Sequence, residues 1–436
     1  MSVEWVTVLM FGGMIALLLL GLPLAFVTGI IAAGFGLAMF GPNVLLLIAS
    51  RIYSFMNEYV LVSVPMFILM ASILERSGVA QDLFRAMHVW AGGLKGGLAV
   101  QTTLAATAMA AMTGIIGGEI VLLGLVALPQ MLRLGYDRRL AIGTICAGGS
   151  LGTMIPPSIV LVIYGLTVSV SIGDLFAATT LPGLMMSALY IAYILVRCHL
   201  NPALGPPAPE AERNVPLSEK LRMLKGLALP MLVAFSVLGT IYTGVASVTE
   251  AAGMGVVGTA LAAALRGELS LRLLRGALLQ TMAACGVLLW VSFGATAMIG
   301  VYNLAGGPAF VRGLMVGLPV PPIVVVLIMM AILIVLGCVM DWIGICLLTM
   351  PIFVPIIKQL GYDPVWFGVL FCMNMQISYL TPPFGPAAFY LKGVAPPDVS
   401  LGEIFAALWP FIGLQLLSLA ILIAFPQIAL WLPSVI

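Results

Sequence analysis

Apolar residues run along this chain in blocks near 5–39, 43–57, 59–77, 139–169, 175–197, 227–264, 277–303, 322–357, 364–391 and 403–432, separated by short polar or glycine-containing stretches. A helix needs roughly 20 apolar residues to cross a bilayer, and backbone left unpaired against lipid is forbidden. The pattern therefore predicts an all-α polytopic membrane protein, and several blocks are too long to be a single element. The interval 95–131 breaks the plan. Its residues are mostly small or apolar, with Thr113-Gly114 near the centre and Gly117-Gly118 just after. This predicts a helical hairpin that enters and returns on one side, with a counterpart near 322–357 turning around Gly337-Cys338-Val339-Met340-Asp341. A plain pair of full spans is the rival reading.

Two apolar blocks are interrupted in the same way. Gly152-Thr153-Met154-Ile155-Pro156-Pro157-Ser158 lies inside one, and Tyr379-Leu380-Thr381-Pro382-Pro383-Phe384-Gly385 repeats the device 226 positions later. Gly135-Tyr136-Asp137 recurs as Gly361-Tyr362-Asp363 at the same offset of 226. A further echo, 171–178 against 400–407, is offset by 229, as a three-residue loop insertion would produce. The chain reads as two homologous halves, about 1–200 and 226–436, joined by a polar linker. Interrupted spans at matching places point to a transporter with substrate and ion sites at the breaks.

Composition supports the membrane reading. The chain is 62% hydrophobic and 8% charged, with a mean hydropathy of +1.20, which cannot coat a water-soluble particle of 436 residues. Its 18 basic and 16 acidic residues give no electrostatic support for a nucleic-acid partner. The six cysteines lack metal-ligand spacing and read as buried thiols. The first 50 residues lack a basic n-region followed by a small-residue cleavage motif, and read as retained spans. The linker at 199–222 is rich in proline and charge, and Leu217, Leu221, Leu224 and Leu227 beside Lys220, Arg222 and Lys225 suggest a short interfacial helix. Basic residues fall in several loops, so absolute orientation stays open.

These pieces in order resemble the large membrane subunit, DctM type, of the tripartite ATP-independent periplasmic transporters. The resemblance covers essentially the whole chain, and rests most specifically on Ala147 to Ser158, Asp174-Leu175-Phe176, Met340-Asp341 and Leu380 to Gly385. It implies a sodium-coupled secondary transporter that imports an organic acid delivered by a periplasmic solute-binding protein (DctP type), alongside a small membrane subunit (DctQ type), in the bacterial inner membrane. It also implies two inverted repeats with re-entrant hairpins and broken helices, working as an elevator. Mapped onto this sequence, the scaffold comprises 1–82, a helix at 174–198, 227–310 and a C-terminal helix at 399–436. The moving transport domain comprises 83–173 and 311–398, with the linker and interfacial helix at 199–226. The family's hairpin tip is typically Ser-Gly-Ser; here it reads Thr113-Gly114-Ile115, so the third hydroxyl is missing.

The chemistry of a broken helix fits this resemblance. One half-helix end leaves carbonyls free for a cation, and the other leaves N–H groups and the positive dipole end free for a carboxylate. A first sodium site would draw on Thr113, Gly114, Gly149, Ser150, Thr153 and Ser158, and a second on Gly337, Asp341, Ser378 and Thr381. Substrate would lie against Gly152, Pro156, Pro157, Thr381, Pro382, Pro383 and Gly385. For each hydroxyl the competing account is a bond to its own helix carbonyls. Three acidic residues fall in apolar surroundings. Asp341 is favoured for the sodium site. Glu119 is open between helix support through a Ser, Thr or backbone partner and ion coupling, and Glu250 reads as a structural bond.

Neither His88 nor His199 lies beside a plausible nucleophile, so an enzyme is not expected, and no Gly-rich loop ending in Gly-Lys-Ser/Thr supports ATP hydrolysis. The closest rival is a stand-alone sodium-coupled organic-anion symporter or an anion antiporter of the same broad fold. A channel would leave the paired breaks unexplained. Within the resemblance, 384–393 suggests a monocarboxylate, 2-oxo acid or aromatic acid as substrate. Inversion would expose the loops 135–137 and 361–363 on opposite sides of the membrane.

Overall fold

The computed structural model describes residues 1–79, 82–83, 93–114, 117–207 and 217–436, and among them every regular element is helical. The long first block folds as α1 (Val3–Leu19) and α2 (Leu24–Phe40), separated where Gly21 takes a left-handed φ of 84° ahead of Pro23. Then come α3 (Val44–Met56) and α4 (Ser63–Arg76), the latter entered through a 3₁₀ turn at Tyr59–Val62. A first helical hairpin pairs α5 (Gly97–Thr113) with α6 (Gly118–Arg133). It leads into an interrupted helix, α7 (Arg138–Ser150) and α8 (Ile159–Val168), and then into α9 (Ile172–Leu200).

The second half opens with α10 (Leu217–Tyr242), α11 (Val248–Leu265), α12 (Leu271–Leu304) and α13 (Gly307–Val316). It repeats the first half's hairpin and interrupted helix as α14 (Pro322–Gly337) with α15 (Trp342–Gln359), and α16 (Pro364–Leu380) with α17 (Pro386–Lys392). The chain closes on α18 (Leu401–Ala424) and a short α19 (Gln427–Leu430). The interfacial helix expected after the linker is not a separate element, because the helix beginning at Leu217 continues unbroken to Tyr242.

Helix ends explain why three short motifs recur. In both halves Gly-Tyr-Asp is the turn between a hairpin and the following interrupted helix. Gly135 and Gly361 take left-handed φ values of 79° and 82°, the conformation that ends a helix without a Cβ penalty. Asp137 then caps α7 by accepting from Leu140 N at 2.9 Å, and Asp363 caps α16 by accepting from Val365 N at 2.6 Å. The later echo is also a cap. Ser171 Oγ accepts from Asp174 N at 3.2 Å to start α9, and Ser400 Oγ accepts from Glu403 N at 3.1 Å to start α18. Glu250 joins Ser247 in a reciprocal capping box at the start of α11, the structural bond expected for it. Within the first of the Gly-Tyr-Asp turns Gly135 is exposed while Tyr136 is buried, its hydroxyl accepting from Leu98 N at 3.0 Å.

Burial separates an interior from a lipid-facing shell. Every residue of α7 from Leu140 to Ser150 and of α16 from Trp366 to Leu380 is buried, as expected for helices apolar on all sides. Large apolar side chains such as Trp5, Leu46, Met282 and Val287 instead project outward from α1, α3 and α12. Among the described residues, six helical stretches are long and apolar enough to cross a membrane: Tyr59–Arg76, Ile172–Leu200, Val248–Leu265, Leu271–Leu304, Trp342–Gln359 and Leu401–Ala424. The interrupted helices thus sit at the centre of the molecule, inside an apolar shell.

Candidate functional site

Each hairpin ends against an interrupted helix. At the first tip, Thr113 ends α5 and Gly114 takes a left-handed φ of 58°. A Cβ at Gly114 would overlap the carbonyl oxygen of Pro157, so the tip backbone lies directly on the first break. Ile115 of the tip lies outside the described residues. At the second tip, a Cβ at Gly337 would overlap the side chain of Ser378, near the end of α16. Both Pro156-Pro157 and Pro382-Pro383 are cis.

Near the first break the hydroxyls donate locally. Ser150 Oγ donates to Ala147 O at 2.7 Å, Thr153 Oγ1 to Ser150 O at 3.0 Å, and Ser158 Oγ to Thr153 O at 2.7 Å. Each hydroxyl oxygen still carries lone pairs for a cation. Gly149 is a packing position, since a Cβ there would overlap Ile120 of α6. The hydroxyl of Thr113 bonds Glu119 and lies 3.0 Å from Met109 O. A threonine partner is one of the two accounts left open for Glu119.

At the second break Ser378 Oγ donates to Asn374 O at 3.1 Å, and Thr381 Oγ1 to Ile377 O at 2.6 Å. Asp341 caps α15, with its carboxylate accepting from Ile343 N at 3.2 Å. A cavity of about 20 Å³ is lined by Gly337, Asp341, Ser378 and, from the first break, Thr153. That volume holds one water-sized particle, which suits a single ion far better than an organic molecule. The residues expected to form two separate sites are thus brought together here in part, with Thr153 joining the second group.

The two breaks differ in access. Gly152, Pro156 and Pro157 are buried, whereas Pro382 is half-buried and Pro383 and Phe384 are exposed, with Gly385 buried beneath them. Several buried amides escaped the sequence reading, three of them near the interrupted helices or α18. Gln376 Nε2 donates to Ser150 O at 3.1 Å, Gln415 Nε2 to Tyr190 Oη at 2.9 Å, and Asn374 Nδ2 to Met330 O at 3.0 Å. An uncharged amide inside an otherwise apolar span was the available signal, because such a group must find a partner there.

Residues 11–428 match the family described as "Tripartite ATP-independent periplasmic transporter, DctM component". The chain is similar to the C4-dicarboxylate TRAP transporter large permease protein DctM of Pseudomonas aeruginosa, 29% identical over 91% of each protein. It is 31% identical to the ectoine TRAP transporter large permease protein TeaC of Halomonas elongata, over 98% of each. Among solved structures it is similar in fold to the Alcanivorax borkumensis YdaH transporter, with a TM-score of 0.66 at 16% identity over 96% of this chain and 99% of that one.

Proposed function

This chain belongs to the DctM family of tripartite ATP-independent periplasmic transporters, multi-pass proteins of the bacterial inner membrane, and from that premise we propose that it imports a small organic acid by sodium symport. The observation that carries the reading is the meeting of each hairpin tip with an interrupted helix, Gly114 on Pro157 and Gly337 on Ser378. Hydroxyl oxygens with lone pairs to spare lie at both breaks, and Asp341 stands at the second, a donor set of the kind that a hard monovalent cation takes. The sodium ligands are drawn from Thr113, Gly114, Gly149, Ser150, Thr153 and Ser158 at the first tip and break, and from Gly337, Asp341, Ser378 and Thr381 at the second. The substrate carboxylate lies between the breaks, against Gly152, Pro156 and Pro157 on one side and Thr381 to Gly385 on the other.

In this reading the hairpins are re-entrant, the halves are inverted repeats, and 83–173 with 311–398 move as one body against the scaffold. Sodium stabilises the closed tips only when the hydroxyls and carbonyls of tip and break are close enough to share it. Ion occupancy and substrate enclosure are thereby the same event, which is what symport requires. The substrate is a monocarboxylate, 2-oxo acid or aromatic acid. It arrives on a periplasmic binding protein, and the chain works with a small membrane subunit.

The test is uptake into proteoliposomes containing this chain and its small subunit, with the binding protein loaded by whatever solute co-purifies with it. Uptake should need both an inward sodium gradient and the binding protein. Full uptake by the isolated chain would replace this reading with the stand-alone symporter, and uptake unchanged when potassium replaces sodium would remove the coupling.

A further inference from the structure

A cluster of ionisable and amide side chains lies where α4 and α12 meet the first hairpin. Helix α4 carries Ser72, Glu75 and Arg76, and α12 places Gln280 beside them. Gln280 Oε1 accepts from Ser72 Oγ at 2.9 Å and from Arg76 Nη2 at 3.0 Å, while its Nε2 donates to Glu75 Oε2 at 3.1 Å. This bracing fixes the Glu75 carboxylate against the hairpin, where a Cβ on Gly118 would lie 3.3 Å from Glu75 Oε1. The next residue, Glu119, is 2% exposed. Glu75, Glu119, Thr113 and Gln280 line one cavity of about 130 Å³.

Two features of this cavity point to an occupant. Glu119 Oε1 is engaged by Thr113, but Glu119 Oε2 is buried without a hydrogen-bond partner among the described residues. A carboxylate oxygen left in that condition is costly unless a cation or a donor meets it. The Arg76 guanidinium is taken up by Gln280 Oε1, to which it donates from Nε at 3.2 Å and from Nη2 at 3.0 Å, and among the described residues it forms no ion pair with Glu75 or Glu119. The volume accommodates an ion that keeps several of its waters.

We propose that the cavity between Glu75 and Glu119 binds one monovalent metal cation, held by both carboxylates where α4 and α12 meet the first hairpin. One carboxylate comes from α4 and the other from the first hairpin, so the ion would bridge the two elements. The site uses neither proline break nor the second tip. It extends the sodium-coupled reading above, but its test is a binding measurement that does not depend on transport, so the two can fail separately.

The experiment treats the intact purified protein with a hydrophobic carbodiimide in sodium chloride or in choline chloride, at equal ionic strength and pH, and maps modified carboxyls by mass spectrometry. At sodium tenfold above its dissociation constant, Glu119 should react about tenfold more slowly than in choline, since that fraction of sites is then filled. Asp341→Asn should retain this protection. Equilibrium binding of radioactive sodium should fall by one ion per chain in the double variant Glu75→Gln, Glu119→Gln, provided it elutes as a single species. Equal labelling in the two salts, with an unchanged sodium count, overturns the proposal. Labelling that follows pH alone makes this a proton site instead, and stronger protection by calcium than by sodium excludes a monovalent occupant. If the double variant fails to fold, labelling of the unaltered chain decides; if Glu119 does not react in either salt, the ion count decides.

Discussion

Gln376 donates to the carbonyl oxygen of Ser150 across 3.1 Å, and the two residues are separated by 226 positions, the same offset that relates the double prolines and the Gly-Tyr-Asp turns. Gln376 is therefore the second half's counterpart of Ser150. When equivalent positions of two related halves touch, any two-fold relation between the halves must pass close to that contact. The bond ties one interrupted helix to the other at the centre of the molecule, just before both breaks.

Gln376→Leu should separate stability from function. The amide's Oε1 is buried without a partner among the described residues, and Ser150 O keeps the Thr153 hydroxyl at 3.0 Å. Losing the Nε2 bond costs about 1 kcal/mol, and removing an unsatisfied acceptor returns a similar amount. The thermal midpoint should thus barely move. Uptake should fall at least about tenfold, because the two breaks lose the bond that sets their spacing, and small misplacements are expensive in positioned sites. A large drop in the midpoint with uptake intact would show the bond to be purely structural.

The tips should not tolerate a methyl group. Gly114→Ala meets a backbone carbonyl that cannot rotate away, and also forces a φ of 58° on a residue with a Cβ. Gly337→Ala meets the Ser378 side chain, whose Cβ is also in the way. Both variants should reach the membrane and lose sodium-dependent uptake, with Gly114→Ala the more severe. Gly253→Ala, in α11 with nothing within 4 Å of the added carbon, is the control and should transport normally. Normal uptake by both tip variants would show that tip–break contact is dispensable.

The elements that could be read from the chain were those with a local cause. Proline pairs, glycine turns and serine or aspartate caps act within a few residues, so Pro156-Pro157, Gly135-Tyr136-Asp137 and Ser171 marked their elements in advance. What escaped depends on which face of an apolar helix meets another helix. Gln376, Gln415 and Asn374 carry no periodic signature, and only packing turns them toward Ser150, Tyr190 and Met330. The same holds for Thr113, whose hydroxyl turns to Glu119, and for Thr153, which lines the cavity at the opposite tip. Spacing along the chain told which residues lie near which break in sequence. It could not tell that the two breaks are bonded to each other.

Asp341 caps α15, and substitutions can separate that role from the one proposed for it toward sodium. As the cap of α15 it accepts from Ile343 N, a task that asparagine performs nearly as well and alanine does not perform. Asp341→Ala should therefore lose about 1 kcal/mol of stability, and Asp341→Asn only a few tenths. If the carboxylate also meets sodium in the small cavity with Gly337, Ser378 and Thr153, both variants need more sodium for half-maximal uptake. Sodium activation of Asp341→Asn that matches the unaltered chain would leave Asp341 as a cap alone.

The orientation of the two halves is tested by labelling at equivalent exposed positions. Tyr136 is unsuitable because it is buried and accepts from Leu98 N. Arg133 ends α6 and Gln359 ends α15, both are exposed, and they differ by the repeat offset of 226. Each immediately precedes the turn that carries Gly-Tyr-Asp, so each reports the side on which its hairpin returns. In a chain with its six native cysteines replaced, single cysteines at these two positions should react with a membrane-impermeant thiol reagent from opposite compartments. Inversion requires this, because equivalent loops of inverted repeats must face opposite sides while the breaks share one depth. Reaction of both from the same side would make the halves parallel repeats, and the two tips would then open to one compartment together, which leaves alternating access without its structural basis.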